Sequence, residues 1–157
     1  MNNFRLIKAI TIITLGASLS AYILGFNRPL FTSAIALLVG FLFILLISNQ
    51  KSIISYYAGL ERKHSTPHPN DAQLWGVKPE YRKMVVYVIP LLVILGLFSF
   101  LFGIDAANGA LPSRISKLIY NLFGAKGVVF MWFTLGVMFT VSSIEMIYYL
   151  AKTRKNA

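Results

Sequence analysis

The sequence predicts an all-α polytopic membrane protein, a four-transmembrane-helix bundle with a short amphipathic interfacial helix in its outer loop. Three observations predict it. Apolar residues fill 57% of the 157 positions and charged residues only 13%, where a soluble domain carries ~25% charged; mean hydropathy is +0.68. Four apolar runs reach the ~20 residues that cross ~30 Å of hydrocarbon. The charges, fifteen Lys and Arg against five Asp and Glu for a net +10, keep out of those runs almost completely. A nucleic-acid binder would instead gather its cations into a continuous basic face, so no nucleic-acid partner is expected. The absence of cysteine excludes disulfides, thiolate metal centres and thiol catalysis.

The runs are Ala9–Phe26, Pro29–Ser48, Met84–Ile104 and Gly127–Ala151, within one domain spanning residues 1–157. Backbone amides at that depth must be satisfied inside their own segment, so each run is read as a helix. Arg5 and Lys8 ahead of the first run imitate a secretory leader. Only Asn27 and Arg28 separate that run from the second, however, and the pair is read as a retained helical hairpin. Eleven basic residues (Arg5, Lys8, Lys51, Arg62, Lys63, Lys78, Arg82, Lys83, Lys152, Arg154, Lys155) fall on one side of such a bundle. Four (Arg28, Arg114, Lys117, Lys126) fall on the other. The positive-inside rule then places both termini and the 49–83 loop in the cytoplasm of a bacterial-type inner membrane.

Within the 49–83 loop, residues 51–62 carry Ile53, Ile54, Tyr57 and Leu60 on one helical face, as an extension of the second span that bends into the interface. His64, His68 and Asp71 have the spacing of metal ligands on a helix. Pro67 and Pro69 forbid that helix, and no metal or other cofactor is expected. Pro79 and Glu80 suit the first turn of the third span. In the outer loop, residues 105–126, an apolar face of Leu111, Ile115, Leu118, Ile119 and Leu122 opposes a basic face of Arg114, Lys117 and Asn121. Pro112 and Ser113 supply the start and Gly124 the stop. A helix with cations on its wet side lies on a bilayer surface and meets anionic lipid.

Small residues at four-residue spacing predict close helix packing: Ala17, Ala21 and Gly25 in the first span, with Gly16 and Ser20 on an adjoining line. Ala36 and Gly40 do so in the second, Ser99 and Gly103 in the third, and Gly136 and Thr140 in the fourth. Glu145 is the one ionisable residue well inside a span. It lies two turns before Lys152, and its expected role is an intramembrane ion pair with Lys51 or Lys8.

These features weigh against an enzyme. The spans contain no histidine, no glycine-rich phosphate loop and no carboxylate pair. Four spans match the size of small multidrug-resistance-type transporters, but those carry their carboxylate in the first helix and this chain carries Glu145 in the last. Four spans, cytoplasmic termini and short outer loops look like the architecture of immunity proteins against pore-forming bacterial toxins, a resemblance of topology alone. The expected function is therefore non-catalytic binding of another membrane component, as an accessory subunit or an immunity-type protector, with another membrane protein or a second copy as partner. A small oligomeric channel or transporter using Glu145, with Thr11, Thr14, Ser18 and Ser20 as lining, is the alternative.

Overall fold

The computed structural model describes residues 2–65, 81–111 and 113–154, and all regular structure among them is helical. The described residues form five helices: α1 (Asn2–Ile23), α2 (Arg28–Ser48), α3 (Gln50–Ser65), α4 (Tyr81–Ala107) and α5 (Arg114–Arg154). Four of them, α1, α2, α4 and α5, are long and apolar enough to cross a membrane. The residues around His68 and Asp71, together with Pro79, Glu80 and Pro112, lie outside the described residues.

α5 is the hub, with α4 along one flank and α1 along another, while α2 packs chiefly on α1. The α4–α5 seam is built by reciprocal insertion. Phe100 of α4 covers Gly136, and Phe133 of α5 covers Gly103. Their rings stand 5.8 Å apart at the centroids. Gly96 faces Thr140 one step further along the same antiparallel register. Small residues here accept large neighbours, and the gain is dispersion contact rather than water exclusion, because lipid tails are as apolar as the side chains. On the α1 side, Gly16 sits directly against Thr134, and Ile12, Leu15, Leu42, Val137 and Val141 form one buried cluster.

Most of the hydroxyl groups placed on these helices are satisfied locally, although the buried Thr134 and Tyr148 oxygens have no hydrogen-bond partner among the described residues. Thr11, Thr14 and Ser20 donate to the carbonyls of Ile7, Ile10 and Ala17, and Ser99, Thr140 and Ser143 do likewise on their own helices. That is how a short polar side chain is carried through hydrocarbon at little cost.

Gly25 does not join the packing line expected of it. α1 ends at Ile23, and the Phe26 and Gly25 amides donate back to the carbonyls of Ala21 and Tyr22. Gly25 has a φ of +81° and open space around its Cα. The bond pattern is that of a helix-ending turn whose left-handed position favours glycine. Ala17 and Ala21 are half-buried.

α2 and α3 join at Asn49, whose side-chain amide donates to the Leu45 carbonyl. α3 folds back, and Ile53, Tyr57 and Tyr149 form a buried cluster flanked by Phe4, Ile54, Leu60 and Met146. The start of α1, α3 and the end of α5 thus share one end of the molecule.

At the opposite end, α5 is broken at Gly124 (φ 69°, ψ −174°), so residues 114–123 form a separate arm. Ser113 caps the arm by accepting the Ser116 amide at 3.0 Å. Ser116 is fully buried and accepts the Trp132 indole N–H at 2.9 Å. The arm consequently has three faces instead of the two read from its sequence. Ser116 and Ile119 turn toward the protein; Ile115, Leu118 and Leu122 form a free apolar stripe; Arg114, Lys117 and Asn121 form a free polar one.

Candidate functional site

A cavity of about 360 Å³ opens between α1, α3 and α5 at the end that holds the first turns of α1. α1 contributes Arg5 and Lys8, three residues apart and so on neighbouring lines of one helix face. α5 contributes Glu145, seven residues and ~10 Å of helix before Lys152. α3 contributes Ser52, Tyr56 and Tyr57, which reach the cavity because the helix turns back at Asn49.

Lys8 donates from Nζ to Glu145 Oε1 at 2.5 Å. This is the only ion pair among the described residues, with side-chain exposures of 21% and 7%. The Tyr57 hydroxyl stands 3.4 Å from Oε2, at the long end for a hydrogen bond. Charge-assisted bonding of this kind is the usual way in which an acid is held below the membrane surface. Glu145 is thereby engaged on both oxygens.

Of the two cations expected near Glu145, the structure brings Lys8 to it. Lys51 is exposed and does not line the cavity. Its neighbour Ser52 does, and one residue along a helix is a rotation of ~100°, which turns Lys51 outward. Arg5 carries the further positive charge of the site. Its guanidinium lies 5.1 Å from the centre of the Tyr56 ring, a cation–π contact, and no acidic side chain among the described residues pairs with it. The i, i+3 spacing of Arg5 and Lys8 was a signal for this juxtaposition. The return of Tyr56 and Tyr57 was not readable, because nothing local records where α3 packs.

The cavity thus combines a neutralised ion pair, a guanidinium with no acidic partner among the described residues, serine hydroxyls from Ser52 and Ser142, and apolar walls from Phe4, Ile12 and Ile53. Such a site can hold an anion attached to an apolar body.

The other residues singled out in the sequence lie elsewhere. Arg114, Lys117 and Asn121 are exposed on the 114–123 arm, at the far end. Ser99, Gly103 and Gly136 are buried at or beside the α4–α5 seam. Ala36 is exposed on α2, and Gly40 has no atom within 4 Å of the place where a Cβ would stand. α2 is the most apolar of the four helices long enough to cross a membrane, yet only 6% of its membrane-length stretch is buried, against 39% for α5. Leu37, Phe41 and Ile44 around the Ala36–Gly40 line are 75%, 46% and 62% exposed. Comparison with protein-family models, with curated proteins and with solved structures finds no match to this chain.

Proposed function

We propose that this chain is a non-catalytic inner-membrane protein that acts by holding a transmembrane helix of another chain against α2. The observation that carries this reading is the open Ala36–Gly40 line. Gly16, Gly96, Gly103 and Gly136 each meet a side chain within the molecule, whereas a Cβ at Gly40 would meet nothing and Ala36 is exposed. A shallow groove edged by Leu37, Phe41 and Ile44 has the shape that lets a second helix approach closely. Accessory subunits and immunity-type protectors both need such a surface and no reactive group. Because the chain has no cysteine, a single Ala36→Cys carrying a photoreactive maleimide reports what lies there in native membranes. One discrete protein adduct is expected, at twice the chain mass for a second copy or at chain plus partner otherwise. It should disappear when Gly40→Leu fills the groove, and Thr14→Cys on the exposed side of α1 should not give it. Adducts to lipid alone would remove the reading.

The same reading puts both termini in the cytoplasm, on the strength of the eleven-to-four distribution of basic residues. The outer arm then lies in the opposite interface, with its apolar stripe in the hydrocarbon and Arg114 and Lys117 at anionic headgroups. An impermeant thiol reagent applied to intact spheroplasts is expected to label Asn108→Cys and to leave Asn3→Cys unlabelled until the membrane is opened. The reverse pattern would invert the molecule.

A further inference from the structure

We infer that the cavity between α1, α3 and α5 is a binding site for the phosphate headgroup of an anionic phospholipid, with Arg5 as its anion-binding residue. This inference is independent of the α2 groove. It begins with charge. Lys8 and Glu145 neutralise each other at 2.5 Å, and the Tyr57 hydroxyl faces the second carboxylate oxygen. The cavity therefore keeps the single positive charge of Arg5, which is itself exposed at the cavity and lies over the Tyr56 ring. The guanidinium stands 5.1 Å from the centre of the Tyr56 ring, a cation–π contact that favours its position at the cavity. A planar fork matches two oxygens of a phosphate better than a point cation does.

Shape and depth select the source of the phosphate. The volume of about 360 Å³ falls in the ~300–1,000 Å³ range of small-ligand sites. The Ser52 hydroxyl adds a polar group on the α3 wall, while Phe4, Ile12 and Ile53 are apolar. Ala9 lines the same cavity, and Ile13, one turn deeper on that line of α1, is 50% exposed. An acyl chain leaving the cavity would run along this line into the bilayer. Glu145 is ~10 Å of helix from Lys152, which puts the site at the depth of headgroups and upper chain segments. Basic pockets between spanning helices at that level are the setting in which lipid headgroups are recognised. Free phosphate shares the anion chemistry but would leave the apolar walls unused.

The test uses the full chain in mild detergent, with retained lipid counted by native mass spectrometry and melting followed in parallel. The probes are phosphatidylglycerol, phosphatidylcholine and inorganic phosphate. Phosphatidylglycerol is expected to be retained about fivefold more than phosphatidylcholine, which is the fold-change equivalent to one interfacial cation at ~1 kcal/mol, and to raise the melting temperature. Arg5→Gln should bring the two lipids to parity. Lys51→Gln, which removes an exposed cation at the same end, should leave the preference intact. Ala9→Phe, which fills the cavity without touching charge, should lower retention of both lipids. A preference that survives Arg5→Gln, or equal retention of both lipids by the unaltered chain, overturns the assignment. Displacement of phosphatidylglycerol by equimolar inorganic phosphate overturns the lipid as its source.

Discussion

Glu145→Gln is expected to lower the stability of the protein in detergent by about 2–3 kcal/mol, seen as a clear fall in melting temperature. Lys8 and Glu145 are 21% and 7% exposed and 2.5 Å apart. Removing one partner from a buried pair leaves the other charge uncompensated, and full burial would cost about 3–5 kcal/mol. Lys8 can move its ammonium part of the way toward water, which reduces the cost. Lys8→Met should be destabilising for the same reason, because Glu145 is the more deeply buried of the two. The double variant Lys8→Met, Glu145→Met should recover most of the loss, since an apolar pair of similar volume replaces the ion pair at nearly neutral cost. Strict additivity of the two single losses would show that the pair does not act as a unit. The same variants separate a structural acid from a transport carboxylate. Reconstituted protein is expected to show no proton or cation flux that depends on Glu145. A flux lost in Glu145→Gln at unchanged stability would make the channel or transporter reading the better one.

Gly16→Ala is expected to cost about 1–3 kcal/mol, the usual range for overpacking a tight contact. A Cβ at Gly16 would stand 2.8 Å from the Cα of Thr134. A side chain could swing away from that position, but backbone cannot, so α1 and α5 would have to separate. Gly136→Ala meets the Phe100 ring at 2.7 Å, and Gly103→Ala meets the Phe133 ring at 2.8 Å. Both lie in the interlocked α4–α5 seam, where each ring is held by the other, and both should destabilise comparably. Gly40→Ala provides the contrast, because nothing lies within 4 Å of its Cβ position. It is expected to be neutral or stabilising by up to ~1 kcal/mol, through helix propensity alone. Thermal unfolding of the four variants in one detergent checks the ranking. A Gly40→Ala loss as large as that of Gly16→Ala would mean that α2 packs differently within the chain.

Sequence by itself determined the four helices long and apolar enough to cross a membrane, because runs such as Pro29–Ser48 contain no charge and every amide in hydrocarbon must bond within its own helix. It also determined the break at Gly124 and the cap at Ser113, which depend on neighbours only a few residues away. That Glu145 would need a partner followed from its depth alone. Tertiary structure decided which partner. Lys8 and Lys51 are equivalent by charge and approximate depth, and the rotation of α3 that points Ser52 inward turns Lys51 out. Tertiary structure likewise sorted the small-residue lines. Gly16, Gly103 and Gly136 meet neighbours, Gly25 serves a turn, and Ala36 with Gly40 stays open. The four-residue spacing was the same in each case. Local spacing records that a helix can be approached closely. Which helix does so depends on contacts between segments far apart in the chain, and those have no local signature.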